Sequence, residues 1–408
     1  MNGVGVARRS ANRNSEGTAA TRRQYNPRTR DRVRVDVVAC AASPGAIRLC
    51  NRGGRPFAAV VRLRLSFRRY RLPFRLPVNT AHGVWREREG IIVRLETATG
   101  VAGLGEAAPI PGFGTETIDG VEAACRAIGE WCDDSRLAAV PVELASLRNA
   151  LGVARAETAR AMEPPTDRNA SGPGYLGVAA LLPAGRAALA QIATRADAGF
   201  RVFKWKVGVA PAADELALLD DLCAALPDGA RVRLDANGAW DRRTAERWLV
   251  RCAERPVEFV EQPVARDFRG AEDLLLGLAH DYPTPVALDE SLTCDGDVER
   301  WVGAGWPGVF VVKPSLLGNV TGVLDMLERA WPRVVFSSAL ETAVGARSAL
   351  RAAFGFAARK PDQPHRALGF GVWPLFADAR FDGPAAAPFV REEDVERIDP
   401  EAVWNALN

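Results

Sequence analysis

The 408-residue chain is short of several things, and each shortage narrows what it can be. No apolar run approaches the ~20 residues needed to cross a bilayer, so a soluble protein with no membrane partner is expected. No Gly-x-Gly-x-x-Gly follows a strand-like stretch, which weighs against a dinucleotide-binding fold. The seven cysteines (40, 50, 125, 132, 223, 252 and 294) form no Cys-x-x-Cys pair and no zinc-like spacing with the three histidines. An odd, dispersed set reads as reduced cytosolic thiols and not as a disulfide framework. Lysine is the sharpest deficit: of 53 basic residues, only Lys204, Lys206, Lys313 and Lys360 are lysines.

What is present is ordinary for a globular protein, 48% hydrophobic and 25% charged. The positive charge is uneven. Residues 1–55 carry twelve Arg against Glu16, Asp31 and Asp36, a net +9, which leaves −6 for the rest of a chain whose total is +3. A mildly acidic body argues against a nucleic-acid partner. Residues 1–55 are rich in Arg, Ser, Asn and Gly without a sustained apolar period and read as a disordered basic extension. The segment fits an unstructured tail, an organelle transit peptide or a basic nucleic-acid arm; no interleaved aromatics support the last. A cytoplasmic location is expected, or a plastid one if the segment is a transit peptide.

The remainder changes texture near residue 175. Before it, residues 58–74 alternate apolar and basic residues as a strand does. Residues 90–109 read as a β-hairpin turning at Thr99-Gly100, and helical patterns follow over 116–132 and 138–160. This predicts an α+β domain over 56–170. Beyond it, eight strand-like stretches ("GVAALL", "RVFKWKVG", "ARVRLDANG", "VEFVEQP", "PVALDES", "GVFVVKPS", "RVVFSSA", "HRALGFG") are separated for the most part by helical patterns, among them 185–197, 212–225, 241–253, 270–280, 319–330 and 342–356. Repeated β–α units at this pitch predict an α/β fold, a parallel barrel over 171–372. Residues 373–408 are expected to pack back on the first domain.

The strand ends carry the chemistry. Asp235, Glu261 and Asp289 end three successive strands, and strand C-termini converge on one face of a parallel barrel. One strand-end carboxylate is more simply a helix cap or a solvated loop residue. Three in consecutive units repel one another unless a cation sits among them, and oxygen-only ligands suit Mg²⁺ or Mn²⁺. Lys204 and Lys206 are two residues apart on one strand, so both face the barrel mouth while Trp205 faces the helices. Lys313 ends a strand four further on, roughly opposite. Arginine stays protonated and cannot serve as a base, whereas a lysine among other cations can lose its proton. Amines on two sides of a divalent ion suit removal of a proton α to a carboxylate. Lys360, in "ARKPDQP", reads as a surface charge.

The set "KWK", "DANG", "VEQP", "DES" and "VKPS", in that order, resembles the muconate-lactonizing-enzyme subgroup of the enolase superfamily over about residues 58–378. The stretches "GLGEAAPIPGFGTET", "VFVVKPSLLG" and "VFSSALETAVG" look most like the o-succinylbenzoate synthases of the cyanobacterial and plastid type within it. The resemblance implies a modified (β/α)7β TIM-like barrel with an N-terminal α+β capping domain. It implies Mg²⁺-dependent syn dehydration of a small carboxylate, 2-succinyl-6-hydroxy-2,4-cyclohexadiene-1-carboxylate, in phylloquinone or menaquinone synthesis. Lys206 would remove the α-proton and later protonate the leaving hydroxyl, supported by Lys204; Lys313 would supply a cation against the ring. Asp235, Glu261 and Asp289 would bind the metal. Ser337 or Ser338, and Gly369 or Gly371, would lie near the succinyl group. The Asn79–Gly83 loop, with Thr80 and His82, would close over the site; His82 either touches substrate or only organises the turn. Two rivals share these residues: an N-succinylamino acid racemase or dipeptide epimerase in which Lys206 and Lys313 both exchange protons, and a Schiff-base lyase or aldolase. The sequence leaves the oligomeric state open.

Overall fold

A computed structural model describes residues 62–80, 83–110, 112–163 and 172–407, together with the short strands Val38–Cys40 and Arg48–Cys50. The chain divides into two compact units, residues 1–59 and 60–408. In the first, the two short strands pair antiparallel, Val38 opposite Cys50; the rest of the expected basic extension lies outside the described residues.

The second unit begins with a four-stranded antiparallel sheet. Its strands are β1 (Leu63–Thr80), β2 (Gly83–Glu96), β3 (Ala102–Ala107) and β4 (Trp131–Cys132), in the order β3-β2-β1-β4. Alternation puts Leu63, Leu65, Ile91, Val93 and Leu95 on one face, where they bury against Val121 and Cys125 of helix α1 (Ile118–Ile128) and Leu147 and Leu151 of α2 (Ala145–Met162). The β2–β3 turn falls where Thr99-Gly100 places it, with Gly100 at φ +86°. A side chain at Gly105 would put its Cβ 2.0 Å from the Ala150 carbonyl oxygen, so α2 rests directly on the sheet backbone. The helix expected over 116–132 stops at Ile128 because Gly129 turns left-handed at φ +80°, and Trp131–Cys132 joins the sheet instead. The pattern expected over 138–160 begins at the end of a short helix, Asp134–Ala138, and is continuously helical only from Ala145.

Seven parallel strands follow in sequential order: β5 (Ala180–Leu182), β6 (Val202–Lys206), β7 (Arg231–Asp235), β8 (Val257–Glu261), β9 (Val286–Leu288), β10 (Val309–Val312) and β11 (Val334–Phe336). Leu368–Gly369 fills the gap between β11 and the start of β5. Gly369 N donates to Phe336 O (2.8 Å), and Ala179 N to Leu368 O (2.9 Å). The result is the (β/α)7β closure that the family resemblance implies. Strands β9 to β11 are buried along their whole length, as a parallel sheet walled by helices requires. Trp205 faces outward as alternation demands and packs on Trp248, ring centroids 6.4 Å apart, in the helix Arg242–Cys252. A helix at Asp295–Gly303, burying Val298 and Trp301, was not among the sequence patterns. The C-terminal segment touches the antiparallel sheet: Phe376 packs on Phe74 with centroids 5.9 Å apart, and the Arg68 guanidinium lies 4.2 Å over the Trp404 ring. Among the described residues, no helix is long and apolar enough to cross a membrane.

Candidate active site at the strand ends

The sheet register assembles the site. Asp235 lies beside Lys206 on one side and Glu261 on the other, so these three form one row across β6, β7 and β8. Lys204, one pleat deeper on the same face, donates to Asp235 Oδ2 (2.8 Å) and Glu261 Oε1 (2.6 Å). Asp289, immediately after β9, accepts from the Lys313 ammonium that follows β10. The Lys313 Nζ also lies 4.9 Å over the ring of Phe113, from a loop of the N-terminal domain. Asp235, Glu261, Asp289 and Lys313 are all buried.

Burial and mutual charge separate these groups electrostatically. For Lys204, burial favours the neutral amine, but Asp235 and Glu261 more than offset it and raise its pKa, so it stays charged. For Lys206, burial dominates; Asp235 opposes it only in part, Lys204 adds to it, and the pKa falls below the ordinary lysine value. Burial takes Lys313 down to about 7 against the pull of Glu261. Burial pushes Asp235 upward, yet Lys204 and Lys206 outweigh it and leave the carboxyl more acidic than usual. Glu261 moves the other way, through burial and the charge of Asp235.

The three expected metal ligands are neighbours but do not close on a single point. One ammonium lies between Asp235 and Glu261, and Asp289 is turned to another. Among the described residues, no three Asp, Glu, His or Cys groups are placed to hold an ion as they stand. The donor chemistry does fit a hard cation. Two buried carboxylates already converge on one cationic atom, Lys204 Nζ, within 2.8 Å. In addition, the buried Glu290 Oε2 has no hydrogen-bond partner.

Ser337 and Ser338 are buried at the end of β11 beside Gly369. Ser337 Oγ donates to Gly369 O (3.3 Å), and Ser338 Oγ donates to Glu341 Oε2 (3.1 Å). A Cβ at Gly371 would stand 2.4 Å from Ala179 O, so that position admits no side chain, and one at Gly369 would stand 2.5 Å from Ser337 Oγ, which would have to turn away. Thr80 ends β1; its side chain and the whole of His82 lie outside the described residues.

Several residues of the site were not singled out in the sequence. Gln262, buried at φ +39°, accepts Asp289 N (3.1 Å) and donates to Ser291 Oγ (2.9 Å), tying the segments after Glu261 and Asp289 together. Asn237 Nδ2 donates to Glu290 Oε1 (3.0 Å). Burial, with Asp235 and Glu261 adding, raises Glu290 to about 7. Gln262 and Glu290 directly follow Glu261 and Asp289, and that adjacency was the available signal. Further out, Glu106 of β3 accepts from Tyr70 Oη (2.5 Å), Thr342 N (2.9 Å), Gly345 N (2.8 Å) and the Thr342 hydroxyl. Its carboxylate therefore caps the helix Ala343–Ala357 from another domain.

Comparison with known proteins agrees with this fold. A family described as "MenC, N-terminal domain" matches residues 63–158, and one described as "Enolase C-terminal domain-like" matches residues 187–378. The chain is 42% identical to the o-succinylbenzoate synthase of Thermosynechococcus vestitus over 315 residues, covering 76% of this chain and 92% of the relative. It is 30% identical to that of Edwardsiella ictaluri over 288 residues, covering 68% and 82%. The crystal structure of o-succinylbenzoate synthase from Thermosynechococcus elongatus BP-1, complexed with Mg in the active site, superposes with a TM-score of 0.68 at 38% identity, covering 84% of this chain and 100% of that one. The L-Ala-D/L-Glu epimerase from Bacillus subtilis gives the same TM-score at 20% identity, covering 81% and 95%, and shares the fold.

Proposed function

Because the chain belongs to the o-succinylbenzoate synthase family of the enolase superfamily, we propose that it dehydrates 2-succinyl-6-hydroxy-2,4-cyclohexadiene-1-carboxylate to 2-succinylbenzoate, with Lys206 as base and then acid. The observation that carries the assignment of roles is the split between two lysines on one strand. Lys204 is held charged between Asp235 and Glu261, while Lys206 beside it loses its proton more readily than an ordinary lysine. A base must start neutral, and Lys206 meets that condition better than Lys204. It takes the proton from the carbon bearing the carboxylate. The resulting ammonium then gives that proton to the departing hydroxyl on the same face, so water leaves and the ring becomes aromatic. Lys204 contributes a fixed positive charge near the carboxylate throughout.

Asp235, Glu261 and Asp289 would hold Mg²⁺, which would supply Lewis-acid stabilisation of the charge developing on the substrate carboxylate. Asp289 would do so with the Lys313 ammonium at its Oδ1. Lys313, over the Phe113 ring, would supply a cation against the substrate ring. Ser337 or Ser338, with the bare backbone at Gly369 or Gly371, would receive the succinyl arm.

The test is turnover of the purified protein on the cyclohexadiene, followed by the absorbance of the aromatic product, with Mg²⁺ and after EDTA. Activity should vanish on chelation and return with Mg²⁺. Lys206→Ala should lose about three decades or more in kcat. Full turnover without the ion, or a Lys206→Ala variant within tenfold of wild type, would refute the assignment. One observation favours a second reading: Lys313 is also shifted down, to about 7, so two amines are available for proton exchange. Racemisation of an N-succinylamino acid with solvent deuterium entering the α-carbon, without diene dehydration, would select it.

A further inference from the structure

Arg88, on β2, is 2% exposed and sits where the antiparallel sheet meets the barrel. All five of its N–H bonds go to main-chain carbonyls. On the sheet side these are Glu89 O (3.1 Å), Pro109 O (2.6 Å) and Ala108 O. On the barrel side they are Ala339 O (3.1 Å) and Leu340 O (3.2 Å), in the loop after β11. A planar fork of donors can span two segments in this way; a point ammonium cannot. Leu340 has φ +60°, a left-handed conformation that is uncommon for a leucine and unfavourable. Strain of this kind persists where surroundings enforce it and is concentrated at functional sites. Leu340 N donates to Ser338 Oγ (2.9 Å), so the strained residue and the Ser337–Ser338 edge are directly linked.

We infer that Arg88 is a positioning residue: by holding the carbonyls of Ala339 and Leu340 it keeps Leu340 left-handed and thereby fixes the Ser337–Ser338 edge at the barrel mouth. The shape of that edge depends on a residue of the N-terminal sheet some 250 positions away in sequence. The inference rests on the reading that this edge receives the succinyl arm.

The experiment compares Arg88→Lys, Leu340→Gly and their combination in the full chain with Mg²⁺. Arg88→Lys should lower kcat/KM about ten- to a hundredfold, mostly through KM, since the reacting groups are untouched while the edge shifts. Leu340→Gly alone should stay within about twofold, because glycine adopts this φ freely. In the Arg88→Lys background it should restore about tenfold, the cost of the left-handed leucine having been removed. An Arg88→Lys enzyme with lowered thermal stability but unchanged KM would overturn the inference, as would absence of rescue. Should Arg88→Lys not fold, Leu340→Val keeps Arg88 and worsens the strain; KM must rise, and an unchanged KM overturns the idea. Amide hydrogen exchange over 338–342 decides the same point without turnover. Faster exchange in Arg88→Lys supports it, and unchanged exchange refutes it. A wild-type protein inactive on the diene would instead refute the functional reading, with exchange still deciding the role of Arg88.

Discussion

Replacing Glu106 by glutamine changes one atom of the side chain and should cost the fold several kcal/mol. Each carboxylate oxygen of Glu106 serves one hydroxyl and one backbone N–H: Oε1 takes Tyr70 Oη and Thr342 N, Oε2 takes the Thr342 hydroxyl and Gly345 N. When either oxygen becomes an NH₂, the hydroxyl on that side can rotate and accept. The backbone N–H cannot, and it is stranded in a buried site. A stranded buried donor costs about 1–3 kcal/mol. Losing the anion at the first turn of the helix Ala343–Ala357 adds about 1 kcal/mol or somewhat more in a buried setting. Glutamine is cheaper to bury than a carboxylate, which returns part of this. The net expectation is a loss of about 2–4 kcal/mol, read as a lower midpoint in urea unfolding followed by circular dichroism at neutral pH, with the slope unchanged. Tyr70→Phe removes a partner that is not backbone and should cost less, near 1 kcal/mol. A Glu106→Gln protein within about 0.5 kcal/mol of wild type, or less affected than Tyr70→Phe, would show that the stranded N–H reasoning is wrong.

Other consequences can be checked alongside. Burial raises Glu341 to about 7, above its value in an unfolded chain near 4.5. The folded state therefore holds a proton that the unfolded state has released, and this contribution to stability is present at low pH and lost as pH rises from about 4.5 to 7, by about 3 kcal/mol in all. Glu341→Gln should flatten that part of the stability–pH curve; an identical slope in the variant would dismiss the assignment. Lys204→Met leaves Asp235 and Glu261 buried without their shared ammonium and should lower stability by about 3–5 kcal/mol in calorimetry without added metal. A change below 1 kcal/mol would mean that those contacts do not hold the strand ends. Gly105→Ala drives a methyl against the Ala150 carbonyl oxygen and should cost about 1–3 kcal/mol in thermal unfolding, whereas an unaffected melting temperature would mean that α2 does not rest on the sheet backbone.

The parts of this protein that could be read from its sequence are those governed by local periodicity. Asp235, Glu261 and Asp289 stood out because each closes an apolar strand pattern, and the pairing of Asp235 with Lys206 and Glu261 follows once those strands lie parallel in register. Trp205 could be turned outward by counting alone. Other features depend on contacts between distant segments, and no window of sequence contains them. Glu106 meets Thr342 and Arg88 meets Leu340 only because two folded layers come together. The side-chain detail around the three strand-end carboxylates was equally out of reach. That Lys204 lies between two of the expected ligands, with Lys313 on the third, is a matter of rotamers, and spacing is silent on rotamers. The helix expected to run to 132 failed for a local reason that could have been read, a glycine at 129 where the chain must turn left-handed.

The welds made by Arg88 and Glu106 bear on how such enzymes can be recombined. A barrel grafted beneath a foreign first domain would inherit carbonyls at 339 and 340 and a helix start at 342–345 that expect visitors from the missing partner. Chimeras between relatives should therefore survive when these four stretches travel together and fail when the crossover separates them. Swapping is safest at junctions that leave both welds with a single parent.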